Sequence, residues 1–74
     1  MARGEDPRKK LGKRVRDLRK RKGLRQVDLD EGEDAVSLTF VQAIERGVAN
    51  PSLETLYKLA RQLGVPLKSL FDFD

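Results

Sequence analysis

The chain contains no cysteine, no histidine and no tryptophan, and only four aromatic residues, three Phe and Tyr57. Without cysteine there is no disulfide framework and no thiolate metal site, so folding rests on apolar packing alone. Without histidine the commonest general base and the commonest zinc ligand are both missing. No apolar run approaches the roughly 18 residues of a membrane span, and no signal-peptide pattern opens the chain. These absences point away from an ordinary enzyme, a metal protein, a cofactor-binding protein or a membrane protein, and toward a cytoplasmic chain. Gly12-Lys13-Arg14 is no phosphate loop, since the earlier glycine and the Ser/Thr after lysine are absent. Acid pairs such as Asp30 and Glu33 have no visible environment to separate their pKa values.

What is abundant is charge, distributed unevenly. The 74 residues carry 16 Lys/Arg and 12 Asp/Glu, for a net +4. Residues 1–25 hold +9, residues 26–45 hold −6 with no base among them, and the remainder holds +1. A basic block on a small domain is the electrostatic footprint of a polyanion binder, and also what a solvated helix face looks like. A membrane-surface helix is disfavoured because Leu11, Val15 and Leu18 form a thin stripe without aromatic anchors.

Periodicity predicts an all-α fold, a compact bundle of four to five short helices in a single domain. Leu11, Val15 and Leu18 mark a first helix over Lys9–Lys22, closed by Gly23. Gln26 to about Glu31 reads as a short second helix carrying Val27 and Leu29. Ser37 is a good N-cap for a third helix over Leu38–Arg46, with Val41 and Ile44 inward and Gly47 as its stop. After the turn Asn50-Pro51-Ser52, a helix capped by Ser52 places Leu53, Leu56, Leu59, Ala60 and Leu63 on one face and stops at Gly64. Pro66 starts a last short helix with Leu67, Leu70 and Phe71. Residues 1–8 read as a flexible basic arm and 9–74 as the folded domain.

A short helix, a turn and a helix with an apolar inner face also describe a helix-turn-helix, in which the second helix enters the major groove. The residues go further than this pattern. Leu11-Gly12-Lys13-Arg14-Val15-Arg16-Asp17-Leu18-Arg19 with Lys22-Gly23-Leu24-Arg25-Gln26 resembles the first helix and entry turn of the Cro/phage-repressor (XRE-like) helix-turn-helix family. Ile44-Glu45-Arg46-Gly47, Asn50 through Leu56, Leu59-Ala60 and Leu63-Gly64-Val65 extend the resemblance over about residues 9–71. The C-terminal half is similar to small controller proteins of restriction–modification systems.

The resemblance implies a lambda-repressor-like fold and a sequence-specific transcriptional regulator of double-stranded DNA, a homodimer on a pseudo-palindromic operator. It implies base reading by Leu38, Thr39, Gln42 and Ala43, with Leu38 open to a second role as a partly buried anchor, and Phe40 packed on a neighbouring helix. Phosphate contacts fall to Arg25, Gln26, Ser37, Arg46 and Asn50. Arg19 and Glu45 are expected to form a structural pair. Leu70, Phe71 and Phe73 are the apolar residues available to a partner copy, or to the monomer core.

The chain departs from the family in its second helix. Alanine is usual one position after Leu29, where this chain has Asp30, and Glu31-Gly32-Glu33-Asp34 follow. The spacing from Gln26 to Val36 is one residue longer than usual. A buried Asp30 would cost several kcal/mol, roughly, unless paired, so the second helix is expected to be short, bent at Gly32 or displaced outward. Five acids in residues 28–34 must also point away from a duplex or across to bases such as Arg14 or Lys22. The rival reading from another class is a protein-interaction module that binds through this acidic segment.

Overall fold

The structure is a computed structural model that describes residues 6–73. The described chain is all-α: α1 (Pro7–Arg21), a one-turn 3₁₀ helix η1 (Gln26–Leu29), α2 (Leu38–Arg46), α3 (Leu53–Leu63) and a second 3₁₀ helix η2 (Leu67–Phe71). Val15, Leu29, Val41, Ile44, Leu59 and Leu70 are the largest fully buried side chains, so every element contributes to one core. Among the described residues no helix is long and apolar enough to cross a membrane.

Helix α1 begins two residues before the expected Lys9. The Asp6 carboxylate accepts from the Arg8 backbone N–H at 2.9 Å, and Pro7 occupies the first helical position. Proline suits that position because its missing N–H has no intrahelical partner there. Apolar periodicity could not report this start, since the first turn carries no apolar side chain. Pro7 and Arg8 therefore belong to the helix and not to the arm; residues 1–5 of that arm lie outside the described residues.

The second helix is indeed short, a single 3₁₀ turn. The chain then leaves through Asp30 and turns at Gly32, whose φ is 82°. Buried Leu29 and Val36 close this excursion at its base, the Val36 N–H donating to the Leu29 carbonyl at 2.8 Å. From α3, Gln62 donates its amide to the carbonyls of Leu29, at 3.0 Å, and of Asp34. Arg61 grips the Asp34 carboxylate with Nη2 at 2.8 Å. Asp28 and Asp34 thus pair with Arg25 and Arg61, and not with Arg14 or Lys22. Arg14 donates instead to the Ser69 carbonyl at 2.7 Å, tying α1 to η2.

Helix α2 is capped at both ends by local chemistry. The Ser37 hydroxyl accepts from the Phe40 N–H at 3.2 Å. Gly47 ends the helix at φ 80°, a left-handed conformation that costs glycine least. Gly47 also lies against α1: a Cβ there would meet Lys9 Cα at 2.8 Å. One α1 turn further on, a Cβ on Gly12 would collide with the Ile44 carbonyl oxygen and sit 2.9 Å from that of Glu45. Two glycines, Gly12 within α1 and Gly47 at the end of α2, set how closely the two helices cross.

Candidate nucleic-acid interface

The placement of α2 depends on a buried cluster at its C-terminal end. Arg19 of α1 donates from Nε to Glu45 Oε2 at 2.7 Å and from Nη2 to Oε1 at 3.0 Å. Its Nη1 donates to the Leu24 carbonyl at 2.8 Å. The Gln26 amide adds a third donor to Glu45, at 3.0 Å from Oε1. Glu45 therefore links α1, the entry turn and α2. The side chains are 10 % and 4 % exposed, so the pair is held in a medium that screens poorly. The carboxylate beside it keeps the Arg19 guanidinium charged above its ordinary range.

With the inner face committed to Val41 and Ile44, the outer face of α2 holds Thr39, exposed, and Gln42 and Leu38, half-buried. Ala43 is also half-buried and packs against the core, as does Phe40. Arg46 and Asn50, at the end of α2 and in the loop after it, are exposed.

On the entry side, Arg25, Gln26 and Ser37 each have a partner within the chain. Arg25 is 77 % exposed, yet it forms a fork with Asp28: Nη2 donates to Oδ1 at 2.8 Å and Nε to Oδ2 at 3.2 Å. The Arg25 backbone N–H donates to the same carboxylate at 2.6 Å. The guanidinium holds the Asp28 carboxyl below its ordinary range. Gln26, expected to face a phosphate, donates one of its two amide N–H groups to Glu45. Ser37 serves as the α2 cap. Asp30 is exposed and not buried in an alanine site: its Oδ2 accepts the Leu38 N–H at 3.1 Å. A carboxylate placed there also meets the favourable end of the helix dipole.

Leu70 does not face a partner. It is fully buried in the monomer core, while Phe71 is 45 % exposed and Phe73 packs partly on the core. A chain this short needs Leu70 to complete its interior. The two rings lie 6.4 Å apart beside an apolar groove formed with Pro7, Leu11, Pro51 and Leu56.

Sequence reasoning missed Gly12, Arg61 and Gln62. A glycine inside a helical pattern was a visible signal for close backbone approach. Arg61 and Gln62 carried none, because only the folded chain brings α3 to the acidic loop.

Three helices around one core, with the middle one held by its ends and presenting a partly polar outer face, define a helix-turn-helix domain. The helix-turn-helix family model matches residues 15–70. Transcriptional regulator DdrOP3 of Deinococcus deserti is 41 % identical over 63 residues, 85 % of this chain and 48 % of that protein. Control protein C.BamHI of Bacillus amyloliquefaciens is 35 % identical over 63 residues, 85 % and 78 % of the two chains. The crystal structure of the restriction-modification controller protein C.AhdI from Aeromonas hydrophila superposes with TM-score 0.78 at 36 % identity. That alignment covers 86 % of this chain and 96 % of C.AhdI. The chain belongs to the XRE-like helix-turn-helix family, whose matched members are named as transcriptional regulators and controller proteins. It spans about half the length of DdrOP3.

Proposed function

We propose that this chain is a sequence-specific regulator that inserts α2 into the major groove and binds a pseudo-palindromic operator as a homodimer. The observation that carries the reading is the Arg19–Glu45–Gln26 cluster, which holds α2 rigidly while Thr39 stays exposed on its outer face. Thr39 can donate or accept at a base edge, Gln42 can pair with adenine, and Leu38 and Ala43 offer apolar contact to thymine methyls. Arg46 and Asn50 are the backbone contacts best placed beside them, with Arg25, Gln26 and Ser37 limited by the partners they already have.

A single such helix reads only a few base pairs, so two half-sites about one turn apart multiply specificity. Phe71 and Phe73 suit a partner copy, joined by Leu53 and Tyr57, which are 61 % and 45 % exposed on α3. The competing interaction module loses much of its basis, since Asp28, Asp30 and Asp34 are engaged within the chain.

Selection of bound duplexes from a random pool tests the proposal. The wild-type chain is expected to enrich a two-fold-related motif, and Thr39→Ala/Gln42→Ala to lose operator affinity more than random-duplex affinity. Equal losses on both would show that these side chains read no bases.

A further inference from the structure

Lys9, Lys13, Arg16 and Lys20 recur at spacings of four, three and four along α1, and all four are exposed. Such a row runs down one side of a helix, over roughly 16 Å at 1.5 Å per residue. Its position in the fold follows from its neighbours. Lys13, Arg16 and Lys20 each directly follow a buried residue, Gly12, Val15 and Arg19. Gly12 lies against the carbonyls of Ile44 and Glu45, and Arg19 pairs with Glu45, so the row borders α2. Arg14, on the other flank of α1, faces η2 through Ser69. At its start the row touches the end of α2, where the Lys9 stem lies against Gly47, next to exposed Arg46.

The opposite end of α2 carries the reverse charge. Asp30 sits on its first turn, and exposed Glu31 and Glu33 follow in the same loop. Helix α2 thus runs from an acidic end to a basic one. The entry-side groups already have partners within the chain, Arg25 in Asp28 and Gln26 in Glu45. Arg16 and Lys20 have no carboxylate partner among the described residues. A row of cations continuous with the C-terminal end of α2 complements a phosphate backbone, which repeats its charge every ~3.4 Å along each strand.

We infer that the Lys9–Lys13–Arg16–Lys20 row is a phosphate rail, gripping the duplex backbone beside the C-terminal end of α2 and supplying the main sequence-independent affinity. The inference rests on α2 as the DNA-facing helix, but it concerns the backbone and not the bases. The acidic end of α2 leaves the grip one-sided.

The test measures affinity for a random duplex and for the selected operator between about 50 and 200 mM salt. It compares wild type, a rail variant (Lys9→Gln/Arg16→Gln/Lys20→Gln) and a charge-matched control outside the row (Arg21→Gln/Lys58→Gln/Lys68→Gln). Glutamine keeps the Lys9 stem on Gly47, and thermal melting checks that both variants fold. Loss of three phosphate contacts lowers the slope of log K against log salt by about 2.7. The advantage of wild type over the rail variant then shrinks about fortyfold across that range. The expected result is this change in the rail variant, equal on both duplexes, with a much smaller one in the control. An unchanged slope in the rail variant, or equal slopes in the two variants, overturns the rail. If the slopes separate as expected while wild type selects no sequence, the rail stands and the base-reading role of α2 fails.

Discussion

The Gly12 backbone lies directly against the Ile44 carbonyl, so α1 and α2 meet main chain to main chain at that point. Glycine inside a helix costs about 1 kcal/mol relative to alanine, and the close crossing is what that cost permits. Gly12→Ala is therefore expected to destabilise the fold by about 2 kcal/mol, the usual range for overpacking, despite its better helix propensity. Denaturant unfolding checks the sign, and a stabilised variant would mean that the helices separate easily.

The Arg19–Glu45 pair is nearly sealed from water, so removing one partner leaves a buried charge. Glu45→Ala should cost about 3 kcal/mol, the low end for a broken buried pair. The double replacement Arg19→Met/Glu45→Leu should lose clearly less than the two single changes together. A strictly additive cycle would show that the two charges are solvated independently.

Asp30→Ala should lower stability by about 1 kcal/mol, as loss of a helix cap does. This reverses the expectation from an alanine-like packing site, because the carboxylate is exposed and accepts the Leu38 N–H. Asp30→Asn keeps an acceptor and should recover most of the loss. Melting temperatures of the two variants, measured side by side, decide it.

Acid should weaken the fold through three half-buried carboxylates. Arg8 holds the Asp6 carboxyl down to about 2, while Arg25 and Arg61 lower those of Asp28 and Asp34. A carboxyl lowered in the folded state contributes stability above its unfolded value of 3.8 and loses it as pH falls through the folded value. The melting temperature should therefore drop between about pH 5 and pH 2. Asp34→Asn should flatten part of that drop; an identical profile would mean that the Arg61 contact contributes nothing.

The ends and inner faces of α2 and α3 were legible in the chain because they depend on neighbours a few residues away. Ser37 and Ser52 cap the next turn, Gly47 and Gly64 turn the chain out of it, and apolar residues every three or four positions mark the buried side. These are contacts of short range, written in spacing. The family resemblance was legible for the same reason, since its strings consist of such caps and stripes.

Tertiary packing alone decided the rest. Whether Leu70 served the core or a partner, whether Asp30 was buried or capping, and which bases received the acidic loop all depended on surfaces far apart in sequence. Asp34 meets Arg61 across 27 positions, and Arg14 meets Ser69 across 55. A side chain carries no local record of such a neighbour, because the energy of the contact exists only once the helices have been brought together around a common core.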